Sequence, residues 1–334
     1  MKRVKTVWIV SVLFLFLFGI AFLNQAGAQP KPLVIKASHM SPAIHPYGKA
    51  MLYYAEVVEK STQGKVKLEL YPNCQLSGGS ERTMAEQLMM GTQEMGLIPT
   101  TLVSDVYMVF GLPFLFTNRQ KAYAVCDGKI GQELLAMLEP RGLKGIAFWE
   151  NGYRQITNSK RPITKPEDMR GMKIRIPHVI NILETMKLLG VTPVPITFGE
   201  LYMALQQGTV DGQENPLSTI YNNKFYEVQK YVTVINYIWS EMALVMNKSF
   251  YDRLPPDVQK VLYEKGREVA PYARNLLMEE DKFLAKKLDE SGMKVTVLSE
   301  EQILPFREAT KSVIDMMEPK IGKDTIEKVK AALK

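Results

Sequence analysis

PLVIKASHMSPAIHPYGKAMLYYAEVVEKSTQGKVKLELYPNCQLSGGSERTMAEQLMMGTQEMGLI, residues 32–98, changes its hydrophobic period four times, and that succession sets the fold class. Pro32 to Ser38 reads as a buried strand, and Pro46 to Thr62 places its apolar residues at helical spacing, with Gly64 there to end the helix. Lys65 to Leu70 alternates strictly, which makes a strand with Val66, Leu68 and Leu70 on one face. Ser80 then caps a helix to Met90, Gly91 stops it, and Met95 to Ile98 is a third strand. Such a β-α-β-α-β order predicts a mainly parallel sheet covered by helices on both faces.

The same grammar recurs downstream. Gly145 to Trp149 and Met172 to Ile176 read as strands, the second terminated by Pro177, with a short helical turn at Pro166 to Met169 between them. Thr197 and Glu200 form a capping box for a helix to Gln207, so a second αβ domain is expected. Pro256 to Glu290 reads as one long helix, kinked near Pro271 and closed by Ser291-Gly292, and Ser299 to Gln302 is another capping box. At 334 residues, two domains fit better than one core. No repeat or linker is visible, which suggests interwoven domains.

The composition is that of a soluble globular protein, with 46% hydrophobic residues and two cysteines. Its formal charge of +7 owes three charges to a basic start, Lys2, Arg3 and Lys5. An apolar run from Val7 to Leu23 and the small residues Ala26-Gly27-Ala28 follow, the pattern of a secretory signal peptide cleaved after Ala28; the competing reading is an uncleaved anchor. Without it, 39 basic residues face 35 acidic ones, with no basic tail, so nucleic acid is set aside. The mature chain is expected to be freely soluble, not embedded in a membrane, and to act as a monomer. Cys74 and Cys126 would meet an oxidising compartment, and their spacing leaves open whether they pair.

The three histidines, His39, His45 and His178, have no metal-ligand spacing, so neither a metal nor a cofactor is expected, and no nucleophile elbow or phosphate-binding loop is present. Gly78-Gly79-Ser80 reads as a turn with an N-cap in preference to an anion cradle. Attention falls instead on strand ends, where α/β sheets bind ligands. Asn151 to Asn158 carries Arg154 beyond one strand, Arg175 stands at the end of another, and Asn215 follows a third. Two converging guanidinium groups suit a carboxylate, and an amide suits its neighbouring hydroxyl, although on spacing alone each arginine reads more readily as a surface ion pair, and Asn215 reads equally as a loop amide satisfying its own turn.

The segments NGYRQITNSKRPITKPEDMRGMKIRIP (151–177), FGELYMALQQGTVDGQENP (198–216) and NNKFYEVQKY (222–231) together resemble the substrate-binding proteins of tripartite ATP-independent periplasmic (TRAP) transporters. SHMSPAIHPYGKAM (38–51), YPNCQLSGGSER (71–82) and GLPFLF (111–116) extend the resemblance over essentially the whole mature chain. It implies a type II-like periplasmic-binding-protein fold: two αβ domains with a hinge and a ligand cleft between them, and a long helix spanning both. Residues 29–151 with 240–280 would form domain I, and 152–239 with 281–334 domain II. It further implies Arg175 as carboxylate anchor, Arg154 as a second cationic contact, Asn215 as an orienting amide and Phe198 as an apolar wall. His39, Glu150, Trp149 and Trp239 are expected near the ligand, His39 and Glu150 favouring a hydroxylated acid such as a sugar acid and the tryptophans an aromatic acid, while Glu241, near a domain crossing with Trp239, reads as an acceptor for ligand hydroxyls or equally as a surface charge. Pro99 and Thr100 stand where other members carry an acidic side chain, which disfavours an amine on the ligand. The implied function is non-enzymatic capture of a small organic acid for the membrane subunits of an ion-gradient-driven transporter. A periplasmic enzyme using His39 as acid or base, and a protein presented to a membrane sensor, are the alternatives.

Overall fold

Nine strands are built where the chain alternates or runs apolar: β1 (Leu33–His39), β2 (Val66–Tyr71), β3 (Met95–Ile98), β4 (Leu143–Asn158), β5 (Lys173–Ile176), β6 (Thr192–Pro195), β7 (Gly212–Pro216), β8 (Tyr231–Asn247) and β9 (Lys294–Val297). They join one sheet in the order β2-β1-β3-β8-β4-β7-β5-β6, with β9 beside β8. The computed structural model describes residues 31–333, so the leader and its expected cleavage lie outside the described residues. Val34–Lys334 holds together as one compact unit.

The sheet is mixed, which corrects the mainly parallel arrangement expected from the β-α-β order. β1 and β3 are parallel, as are β5 and its neighbours β6 and β7, but the middle of the sheet is antiparallel: β3 with β8, β8 with β4, and β4 with β7. The cause is the two long strands, β4 and β8, which pair along nearly their whole lengths. One end of β8, Ala243–Met246, carries β3 on its free edge, while the other, Tyr231–Val234, carries β9. β4 takes β7 along Arg154–Asn158. Two half-sheets therefore share the same central pair of strands.

Local signals end the helices as the sequence predicts. Ser80 Oγ accepts the Thr83 N–H at 3.1 Å, and Ser299 and Gln302 exchange side-chain and backbone bonds of 3.3 and 2.9 Å. The expected helix after Thr197 begins as a 3₁₀ turn, Phe198–Glu200, before the α-helical Leu201–Gln206. The long helix runs continuously from Pro256 to Glu290 with Pro271 inside it. Its buried stripe includes Leu262, Val269, Ala273, Leu277, Leu284 and Leu288, and each leucine contributes about 1.5–3 kcal/mol by leaving water. Gly266 lets this helix lie on the central strands, since a Cβ there would come within 2.5 Å of Ile146 Cγ2 and 2.9 Å of Leu244 Cδ2. Leu284 and Leu288 complete a second apolar cluster with Leu201, Leu205, Ile220 and Phe225. Cys74 and Cys126 are both buried and free, and burial pushes the Cys74 thiol up to about 12.

Candidate functional site

Ile174 and Ile176 bury one face of β5, so Arg175 between them projects from the other, and Pro177 lines the same cavity directly after it. The Arg175 side chain is only 2% exposed. Its Nε donates to the Ile196 carbonyl at 2.8 Å, but Nη2 has no hydrogen-bond acceptor, and the nearest carboxylate oxygen, Glu81 Oε1, lies 4.0 Å away. Glu81 is itself engaged, its two oxygens accepting the Phe198 N–H at 3.1 and 3.0 Å. Burial pushes the Arg175 guanidinium down to about 10, and neighbouring Arg154 adds to that against the partial support of Glu81 and Glu214. It remains a cation at neutral pH, and an under-compensated one.

Arg154 on β4 lines the same cavity, but its Nε and Nη2 both have acceptors. Glu214 on β7 takes both its Nε and its Nη2, the latter at 2.7 Å, and Nη2 also reaches the Glu214 carbonyl at 2.8 Å and Asn215 Oδ1 at 3.2 Å. The Tyr237 hydroxyl donates to Glu214 at 2.7 Å. Burial works against the Arg154 charge, but the Glu214 carboxylate outweighs it and holds the guanidinium above its ordinary value. Asn215 is fixed at both ends, its Nδ2 donating to Gln213 Oε1 at 2.6 Å.

These residues face a cleft of about 670 Å³, counted to its open mouth, with Phe198, Met40 and Ile182 among its apolar walls. Asn181, Ser240 and Glu241 add polar edges, Asn181 donating to the Gly111 carbonyl at 2.5 Å. Next to Phe198, Gly199 lies against the backbone of Gly79; a Cβ on Gly199 would sit 2.5 Å from the Gly79 carbonyl oxygen. Glu241 is 2% exposed, and its Oε1 accepts from both the backbone N–H of Thr100, at 3.0 Å, and the Thr100 hydroxyl. Burial pushes its carboxyl up to about 7 even against those bonds.

Arg175, Arg154, Asn215 and Phe198 are thus brought together, whereas His39, Glu150, Trp149 and Trp239 are not among the cavity's lining residues. His39 is buried against the Tyr47 ring, 5.9 Å between centroids, and burial pushes it down to about 4, leaving it neutral; the next residue, Met40, reaches the cavity instead. Glu150 accepts from Arg119 Nε at 2.8 Å, from the Tyr123 hydroxyl and from Trp239 Nε1 at 3.0 Å, and Arg119 also binds Asp281 of the long helix. Trp239 packs on Phe116 and Phe110 at 5.4 and 5.9 Å, while its neighbours Ile238 and Ser240 turn to the cavity. Trp149 is fully buried. Sequence reading missed Glu81, Asn181, Glu214 and Tyr237; Glu214 stood in the quoted GQENP run, but only the β4–β7 pairing brings it to Arg154.

Comparison with known proteins agrees with this architecture. Residues 37–320 match the family model of bacterial extracellular solute-binding protein, family 7. The C4-dicarboxylate-binding periplasmic protein DctP of Rhodobacter capsulatus is 36% identical over 326 residues, 95% of this chain and 96% of that protein. The 2,3-diketo-L-gulonate-binding periplasmic protein YiaO of Escherichia coli is 34% identical, covering 72% of this chain and 74% of its own. Among solved structures, the sugar acid binding protein DctPAm from Advenella mimigardefordensis, in complex with galactonate, superposes with a TM-score of 0.87 at 36% identity, covering 91% of this chain and 98% of that one. With its sheet, its long helix and its arginine-lined cleft, the chain belongs to the family 7 extracellular solute-binding proteins, the substrate-binding proteins of TRAP transporters.

Proposed function

We propose that the protein captures a small organic acid in the arginine-lined cleft and delivers it to the membrane subunits of a TRAP transporter. The observation that carries this reading is Arg175: a buried cation whose Nη2 has no acceptor, directed at a cavity. An unpaired buried charge costs several kcal/mol, and a ligand carboxylate would offset that cost with charge-assisted hydrogen bonds. Arg154 acts with Asn215, steering the amide towards the ligand through its 3.2 Å bond to Oδ1, and Phe198 walls the apolar part of the acid. His39, Glu150, Trp149 and Trp239 support the walls from behind, so stacking of an aromatic acid on either tryptophan finds no support.

The protein is read as a carrier and not an enzyme, because the Ser240 hydroxyl on the cavity wall donates to the Gly152 carbonyl and not to a base. Residues 1–28 serve as the signal for export to the periplasm, and the mature chain starts at Gln29. Residues 29–151 with 240–280 and 152–239 with 281–334 close on each other. The irregularity in β4 between Glu150 and Gly152, opposite Glu241 and Ser240 of β8, supports that division. Ligand contacts from both sides shift the population to the closed shape that the membrane subunits recognise.

Thermal unfolding of residues 29–334 against uronates, aldonates, dicarboxylates, keto acids and aromatic acids tests this. A ligand at 100 times its Kd adds about 2.7 kcal/mol, read as a raised Tm. The expected result is a shift by at least one acid that Arg175→Ala abolishes; an undiminished shift in that variant overturns the anchor.

A further inference from the structure

Among the described residues, the cavity lining holds one under-compensated cation, Arg175 on β5, and one carboxyl outside any close ion pair, Glu241 on β8. By register Arg175 lies level, through Gln213 of β7, with Thr157 of β4, whereas Glu241 lies level with Glu150, so the two residues stand on different strands and at different heights of the sheet. The site is therefore bipolar: one end lacks an anion and the other lacks hydrogen-bond donors. Glu241 Oε1 is occupied by Thr100, whereas its second oxygen receives no hydrogen bond from another described residue. Among the described residues only two cations line the cavity, Arg154 and Arg175, and Glu214 pairs with the first.

We propose that Glu241 is a specificity-determining residue that reads ligand hydroxyls, so that the site selects a polyhydroxylated monocarboxylate over a dicarboxylate of the same length. The inference rests on the reading of Arg175 as the carboxylate anchor. A hydroxyl-bearing chain would donate to the free Glu241 oxygen, whereas a second carboxylate would meet like charge with no cation left to pair it. Of the groups around Glu241, Arg154 is a cation that favours its charge, and Glu214 already holds that guanidinium. Tyr107, in the segment Asp105–Gly111, and Cys126, on the helix Arg119–Asp127, feel its charge but are neutral. Glu150, opposite on β4, is held by Arg119. Ionisation near neutral pH then gives the two ligand types opposite pH profiles. A diacid must keep Glu241 protonated and weakens up to about tenfold per pH unit above 7, while a hydroxyl donor favours the ionised form and tightens.

Calorimetric titration of residues 29–334 with matched aldonates and aldarates of four to six carbons, at pH 6, 7 and 8, tests the proposal. The aldonate is expected to bind at least tenfold tighter than its aldarate at pH 8, with the gap closing towards pH 6. Glu241→Gln is expected to flatten both profiles and narrow the gap by about tenfold. Wild-type protein that prefers the aldarate at pH 8, a gap that neither pH nor Glu241→Gln changes, or binding confined to acids without hydroxyls overturns the proposal. If Arg175→Ala still abolishes binding in those cases, the anchor reading survives its failure. If that variant binds normally, the anchor reading is the one that falls.

Discussion

Two arginines stand on one cavity wall, and their surroundings are opposites. Arg154 is enclosed by Glu214, Tyr237 and Asn215, its Nε and Nη2 both bound to the Glu214 carboxylate. Arg175, as deeply buried, has one backbone acceptor and an unpartnered Nη2. Burial alone therefore does not mark function in this protein. What sets Arg175 apart is an unpartnered Nη2 on a residue that lines the cavity, which is why the proposed reading assigns the ligand's carboxylate to it.

The comparison breaks if the two residues respond alike to mutation. The largest expected effect is on folding: Arg154→Ala strands the Glu214 carboxylate and lowers stability in urea unfolding by about 3–5 kcal/mol. Arg175→Ala is expected to lose about 2–5 kcal/mol of ligand binding, roughly 30- to 5,000-fold, by calorimetry, with ligand-free stability unchanged or raised. Equal loss of stability in both variants would erase the distinction.

Glu241 sharpens the contrast from the acidic side. Its carboxyl is raised to about 7 by burial, above the unfolded value near 4.3, so the native state binds the proton more tightly. Its contribution is fully present below pH 4.3 and is lost as pH rises through 7, by up to about 3 kcal/mol. Ligand-free wild type should therefore lose stability relative to Glu241→Gln between pH 4.5 and 8. The smallest effect is expected away from the cavity. Trp239→Phe removes the 3.0 Å bond to Glu150 and some packing, costing about 1–2 kcal/mol of stability while leaving ligand affinity unchanged.

The sequence made the opening β-α-β-α-β unit and the helix caps legible, because each element there has one buried face and a punctuating residue. Of β4 only Gly145 to Trp149 stood out, and β8 was not seen at all. YVTVINYIWSEMALVMN is apolar on both faces where it crosses the middle of the sheet, so it carries little period-2 signal. Missing that strand also produced the expectation of a mainly parallel sheet. In the site, Arg175 was readable from the alternation of Ile174 and Ile176, since its strand is short and regular. The facing of Glu150 was not, because β4 shifts register beside it, and the partner of Arg154 was not, because Glu214 is 60 residues away in the chain.

The bare contact between Gly79 and Gly199 separates how tightly the protein holds an acid from which acid it prefers. Alanine at 199 adds a methyl group where the Gly79 carbonyl oxygen leaves no room, and the backbone must part to admit it. Under the proposed closure the penalty would fall on bringing these two segments together and not on any atom of the ligand. All acids should then lose affinity by the same factor with their rank order intact, whereas a change at Glu241 reorders the list.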